Sequence, residues 1–95
     1  MRQPLMEAYR KIKERMNNKI VLIRIGDFFE AFGEDAKTVS KVCGVLLTHR
    51  EIDGSQKPMA GFPFFSAETY IAKLIEAGHA VALVEPTGEV ENDTD

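Results

Sequence analysis

The segment Phe28-Phe29-Glu30-Ala31-Phe32 contains the residues best suited to recognition, because it combines three aromatic rings with one carboxylate. Side chains alternate between the two faces of a strand, so Phe28, Glu30 and Phe32 are predicted to share one face. Phe28 and Glu30 would then lie roughly 7 Å apart along the strand. From the residues alone a second interpretation stays open, in which Phe28 belongs to the core and Glu30 is a solvated strand residue.

The signatures of common enzymes are absent: the sequence has no glycine-rich nucleotide loop, no C-x-x-C pair and no H-E-x-x-H. One cysteine and two scattered histidines do not make a zinc site. A divalent metal could be held, as in a nuclease, by four neighbouring acids: Asp27, Glu30, Glu34 and Asp35. The last two of these acids, however, suit a helix N-terminus. We therefore predict no catalytic residue, no metal, no cofactor and no nucleotide, and keep a nuclease as a minor alternative.

The charge distribution is uneven along the 95 residues. The net charge is −3, yet five of the fifteen acids lie in the last eleven residues, where there is no base. The first quarter of the chain carries seven basic residues and two acidic ones, Glu7 and Glu14. This basic segment either attracts phosphate or forms a solvated helix face. We predict one domain over 1–88 and an acidic, disordered tail over 89–95. With no apolar run long enough to span a bilayer, we expect a soluble cytoplasmic protein, nucleoid-associated when bound to DNA.

The hydrophobic pattern predicts the elements that position these residues. An amphipathic helix is expected over 4–16 with its basic residues facing outward, followed by antiparallel strands 20–25 and 28–32 joined by a tight Gly26-Asp27 turn. A second helix then ends at Gly44 and contains Cys43 as a small core residue. Later elements are a strand over 45–48, an exposed hairpin loop over 51–55 returning through 57–60, a helix with Ser66 as N-cap, and a strand over 80–84. Together they predict a mixed α/β domain, a small sheet packed with about three helices.

Several of these segments resemble one family. The run from Arg24 to Phe32 resembles the R-x-G-D-F-Y-E-x-F segment in the N-terminal mismatch-recognition domain of the MutS family of DNA mismatch-repair proteins. Further matching segments follow in the same order as in that domain: the opening Pro-Leu-Met-Glu-Ala-Tyr, Leu-Leu-Thr-His-Arg ending at Arg50, Pro-Met-Ala-Gly-Phe-Pro ending at Pro63, and Tyr-Ile-Ala-Lys-Leu ending at Leu74. The resemblance covers about residues 3–88.

The resemblance implies a role for each matching residue. The residue matching Phe28 wedges into the minor groove and stacks on a mispaired base, while the residue matching Glu30 hydrogen-bonds that base. The implied partner is duplex DNA with a mismatch or a small loop. Met59 resembles a residue near the kinked groove, or is a core methionine under a turn. Arg50 and Lys57 flank the hairpin loop and are candidates for phosphate contacts.

Departures from the family pattern keep a second function open. Phe65 stands where relatives often place a histidine or an arginine near the DNA backbone, and Phe29 replaces the usual tyrosine. Relatives continue into connector, lever, clamp and ATPase domains, whereas this chain ends in an acidic tail. The leading expectation is a stand-alone mismatch-binding domain without enzymatic activity. The alternative is an interaction module that lost DNA binding and associates with full-length MutS or another repair or recombination protein.

Overall fold

A computed structural model describes residues 5–52 and 54–85 and shows one five-stranded sheet packed with three helices. The strands are β1 (Lys19–Ile25), β2 (Phe28–Phe32), β3 (Thr48–Ile52), β4 (Ser55–Pro63) and β5 (Ala80–Val84). The helices are α1 (Leu5–Arg15), α2 (Gly33–Cys43) and α3 (Ala67–Glu76), and a single 3-10 turn over Phe64–Ser66 precedes α3. The strand order is β3-β4-β2-β1-β5, and only β1 and β5 run parallel. The predicted mixed α/β fold is confirmed.

Strand β1 carries the core on both faces of the sheet. Ile20 and Leu22 pack towards α2 and α3 in a first core cluster, which also contains Phe29 and Phe62. Val21 and Ile23 point to the other face and form a second core cluster with residues of α1. Residues 20–23 are therefore buried on both faces of the sheet, which explains the unbroken apolar run in the sequence.

A buried carboxylate joins α1 and β1 to α2. Asp35 is only 8% exposed, and its Oδ2 lies 2.6 Å from the Tyr9 hydroxyl and 3.1 Å from the backbone N–H of Val21. The Lys13 ammonium lies 2.9 Å from the same carboxylate and also donates to the Lys19 carbonyl. Burial first, and then the hydrogen bond and charge of Asp35, raise the pKa of Tyr9. Asp35 lies in the first turn of α2 as predicted, with its side chain buried. One prediction is corrected: Lys13 of α1 does not face outward.

The strand predicted over 45–48 is misplaced, because β3 begins at Thr48 and ends at Ile52. Val45 and Leu47 pack against the first core cluster from a connecting segment, in which Leu46 is 79% exposed. The Ser40 hydroxyl donates to the Val45 carbonyl at 2.6 Å and fixes this segment to the end of α2. The predicted loop over 51–55 is correspondingly too long, since Ile52 is 7% exposed in the second core cluster.

The other boundaries follow the sequence pattern closely. Helix α3 begins directly after Ser66, although the Ser66 side chain makes no capping hydrogen bond. Cys43 is buried as predicted, and burial raises the pKa of its thiol. The predicted tail over 89–95 and the predicted helix start at residue 4 lie outside the described residues. No helix among the described residues is long and apolar enough to cross a membrane.

Candidate nucleic-acid interface

The turn that precedes Phe28 is held in place from both sides. Gly26 has a φ of 59°, a left-handed conformation that glycine adopts without strain, which allows the two-residue turn between β1 and β2. The Arg24 side chain donates from Nε to the Gly26 carbonyl at 2.6 Å. From the other side, the backbone N–H of Phe64 donates to the Asp27 carbonyl at 2.8 Å. Phe28 therefore starts from a fixed backbone position.

Strand β2 presents one end of its sequence to solvent and buries the other. Phe28 is 43% exposed, whereas Phe32 is 1% exposed and packs edge-to-face on Tyr9 with ring centroids 5.4 Å apart. Phe29 and Ala31 point to the opposite face, into the first core cluster. The predicted alternation is confirmed: Phe28, Glu30 and Phe32 share the face on which α1 packs, and α1 covers the end at Phe32.

Glu30 lies on that face between Ile23 of β1 and Gly61 of β4. A side chain at Gly61 has no room: an added Cβ would collide with the Phe29 carbonyl and Glu30 Oε1, and would come within 2.8 Å of Glu30 Cδ. The Glu30 carboxylate therefore rests over the space that a side chain at position 61 would fill. Burial raises the pKa of Glu30, and the nearby charge of Arg50 lowers it in part.

The remaining candidate residues lie on the same face, as the strand register shows. Met59 pairs with Phe32 and packs against the second core cluster, which agrees with the core interpretation of this methionine. Arg50 and Lys57 are cross-strand partners at the β3–β4 hairpin; Arg50 is exposed and Lys57 is half-buried. One face of the sheet thus carries Phe28, Glu30, Arg50, Lys57 and Met59, with Phe28 at one end of β2 and Met59 beside Phe32 at the other. Their contacts with DNA stay a prediction.

The predicted basic patch is weaker than the residue count indicates. Arg10 forms an ion pair with Glu14 at 2.6 Å, and Lys13 is committed to Asp35. Both pairs reduce the net positive charge that α1 offers to phosphates. Two of the four cations of α1 are therefore committed to carboxylates.

The acids near the turn do not form a metal site. Within 5–52 and 54–85, no three His, Cys, Asp or Glu side chains are placed to hold a metal ion. Asp35 is buried against Tyr9 and Lys13, as described above. His49 pairs with Pro58 and therefore points to the face opposite Glu30 and Arg50, away from the candidate surface. The nuclease alternative gains no support from this arrangement.

Two residues that support the site escaped the sequence analysis. Gly61 accommodates the Glu30 carboxylate, and Phe64 anchors the turn before Phe28. A glycine inside a strand often marks a close approach of another chain segment, so Gly61 carried a usable signal. Phe64 carried none, because its contact with the turn joins segments far apart in the sequence.

Comparison with known proteins shows the family of this chain. A family described as MutS domain I matches residues 3–94. The chain belongs to the MutS domain I family. Among its relatives, "DNA mismatch repair protein MutS" of Thermotoga neapolitana is 52% identical over 86 residues, which cover 90% of this chain and 10% of the relative. The proteins of that name from Fusobacterium nucleatum and Salinibacter ruber are 46% and 45% identical, over 96% and 98% of this chain. The chain spans about a tenth of the length of these relatives.

Proposed function

We propose that this domain recognises duplex DNA with a mismatch or a small loop, in DNA mismatch repair, with Phe28 as a wedge in the minor groove and Glu30 bonded to the mispaired base. The observation that supports this most directly is the 43% exposure of Phe28 on a strand whose other two phenylalanines are buried. An exposed ring on a fixed backbone is pre-organised for stacking. Membership of the MutS domain I family points to the same role.

The energetics favour a mismatch over a paired site. Inserting an apolar wedge unstacks a base step at a cost of a few kcal/mol, and stacking on the ring recovers about 1–3 kcal/mol. A mispaired step is already loosened and bends at lower cost. The same ring therefore binds a matched duplex less well, and Phe28 alone gives some discrimination.

Glu30 adds discrimination more than affinity. Phosphates repel its carboxylate, so the group is tolerated in the groove only when it bonds a base-edge N–H or carries a proton. Matched bases already use these edges for pairing, whereas a mispaired base leaves one free. A carboxylate here thus penalises the wrong partner, which is a general route to specificity.

These residues are proposed to bind DNA and not to catalyse a reaction. The domain by itself is expected to bind DNA with low affinity. Few phosphates are neutralised by Arg50, Lys57 and helix α1, in which two of the four cations pair with acids. Non-specific binding of ordinary proteins is already only about 10⁻⁴ to 10⁻⁶ M. The proposed affinity lies in that range, with a small preference for a G·T or unpaired-base duplex.

Replacing Phe28 with alanine is expected to abolish this preference, because the wedge is removed while the sheet beneath is unchanged. Fluorescence anisotropy at low salt, with matched, G·T and single-bulge duplexes, measures it. Leu46→Ala, a change at a more exposed apolar site, is the control and should keep the preference. Equal curves for matched and mismatched duplexes with the unmodified chain would contradict the proposal. If a repair protein were instead captured without any DNA shift, the interaction-module alternative would be favoured.

The affinity for mismatched DNA is expected to rise as pH falls through the raised pKa of Glu30. Burial raises the pKa of Glu30, so the folded domain holds a proton on this group at a pH where the unfolded chain does not. Stability linked to the group is therefore present at low pH and is lost as pH rises through the raised pKa. The protonated carboxyl also escapes phosphate repulsion. Glu30→Gln should bind with little pH dependence around the raised pKa; an unchanged pH profile in that variant would exclude Glu30 as the titrating group.

A further inference from the structure

The Arg24 side chain lies behind the proposed wedge. Arg24 pairs with Phe29 in the register of β1 with β2, so its side chain points to the face of the sheet opposite to that of Phe28. The residue is half-buried, and only Ile25 separates it from the turn between β1 and β2. Any effect of Arg24 on recognition is therefore transmitted through the turn and not through the surface that carries Phe28.

Arg24 takes part in both attachments of this turn. Its Nε donates to the Gly26 carbonyl at 2.6 Å, and the backbone N–H of Phe64 donates to the Asp27 carbonyl at 2.8 Å. The Arg24 guanidinium also lies 3.6 Å from the centre of the Phe64 ring, which is a favourable cation–π distance. Arg24 thus binds one turn carbonyl itself and supports the residue that binds the other.

Phe28 is the first residue of β2 and depends on these attachments for its direction. The hydrogen bond between Phe64 and Asp27 continues the register of β2 with β4 one step beyond the pair of Phe28 with Pro63. Because hydrogen-bonded and non-hydrogen-bonded pairs alternate in an antiparallel ladder, Phe28 and Pro63 form a non-hydrogen-bonded pair. On its turn side, Phe28 is therefore tied to the segment after β4 by the bond at Asp27.

We infer that Arg24 is a positioning residue for Phe28 and that it fixes the direction of the ring from the opposite face of the sheet. This inference rests on the proposed function. An apolar wedge has to unstack a base step, so a turn that yields would let the ring fold against the groove instead of entering it. A turn that is held before binding avoids this loss. A duplex bound without insertion is held equally well whether it is matched or mismatched, so a looser turn lowers only the affinity for mismatched DNA.

Replacing Arg24 with lysine tests this role, because lysine keeps the positive charge but lacks the planar guanidinium and its Nε donor. Fluorescence anisotropy of the 95-residue chain gives the ratio of its affinities for a G·T duplex and for the matched duplex. This ratio is expected to fall about twofold or more, within the contribution of one hydrogen bond, and only through a loss of G·T affinity. Arg10→Lys, the same substitution at an arginine of α1 that pairs with Glu14, is the matched control and should keep the ratio.

The stacking partner of Arg24 provides a second set of variants. Phe64→Leu keeps the backbone N–H that binds Asp27 but removes the ring, so it should lower the same ratio. Phe64→Tyr keeps a ring on which Arg24 can stack and should retain the ratio. The double variant Arg24→Lys with Phe64→Leu should lose no more than Arg24→Lys alone, because the two side chains act through one contact.

A measurement without DNA separates positioning from a general loss of structure. In the unmodified chain the backbone amide of Phe28 is expected to have an NMR order parameter of about 0.85, the value of a rigid backbone. In Arg24→Lys this order parameter should fall at Phe28, whereas it should not change at Phe32, at the buried end of the same strand. An unchanged order parameter at Phe28 would refute the inference.

The binding results also separate this inference from the proposed function. If the unmodified chain prefers the mismatch and Phe28→Ala removes that preference while Arg24→Lys keeps it, the positioning role is refuted and the proposed function stands. If Arg24→Lys lowers the affinity for both duplexes by the same factor, Arg24 acts through stability or charge, and the positioning role is again refuted. Equal binding of both duplexes by the unmodified chain would overturn the proposed function and this inference together.

Discussion

Replacing Asp35 with alanine is expected to lower the free energy of unfolding by about 3 kcal/mol, because removing one partner of a buried, hydrogen-bonded charge pair leaves the others without compensation. The Val21 N–H loses its acceptor, and the half-buried Lys13 ammonium loses its counter-ion. For a domain of this size, with a stability of roughly 5–15 kcal/mol, this is a large fraction of the total. Urea denaturation followed by circular dichroism measures the change.

The neighbouring acid provides a matched control for Asp35. Glu34 precedes it in the same first turn of α2, but its side chain is 89% exposed and pairs only with Lys37 at the surface. Glu34→Ala should therefore shift the free energy of unfolding by no more than about 0.5 kcal/mol. If both variants unfold at the same urea concentration, the buried network does not stabilise the domain as described.

Replacing Gly61 with alanine is expected to have the second large effect, on stability and on recognition together. The added Cβ collides with the Phe29 carbonyl and with the Glu30 carboxylate. Overpacking of this kind costs typically 1–3 kcal/mol, and the flexible Glu30 side chain can yield by turning into solvent. Two measurements follow: the free energy of unfolding should fall by about 2 kcal/mol, and the mismatch preference should decrease.

The pKa of Glu30 separates these two parts of the Gly61 effect. If alanine at position 61 expels the carboxylate, burial no longer raises the pKa of Glu30, which then falls back towards its ordinary range. Titration of the carboxyl carbon by NMR detects this. The double variant Gly61→Ala with Glu30→Ala removes the side-chain collision, so the stability loss that remains reports the backbone contact alone. A Glu30 pKa that is identical with glycine and alanine at position 61 would refute this account of Gly61.

Local patterns predicted those parts of the fold that depend on neighbours in the sequence. The apolar run from Ile20 to Ile23 and the alternation through Phe32 gave the right strands, because burial on each face repeats with period two. The run over 45–47 misled, because an apolar segment packs equally well as a connection beneath α2. Asp35 lies at a helix start as predicted, but its contacts with Tyr9 and Lys13 could not be predicted, because both residues lie more than twenty positions away in the sequence.

The candidate surface could be predicted residue by residue but not as an assembly. Alternation placed Phe28 beside Glu30, and the family resemblance suggested the roles proposed for them. Placing Arg50 and Lys57 on that face requires the register of β3 with β4 and of β4 with β2, which no local pattern specifies. The support from Gly61 and Phe64 depends on the same long-range pairing.

The tight turn and strict alternation of β2 also limit how this domain can change over evolutionary time. Deleting or inserting one residue between Gly26 and Phe32 would move every later side chain to the opposite face of the sheet. Glu30 would then enter the cluster that now holds Phe29, and the core would lose Phe32. Substitutions at Phe28 or Glu30 leave the ladder intact. Changes in recognition are therefore open to point mutation, whereas a change in the length of this segment would disrupt recognition and the core in a single event.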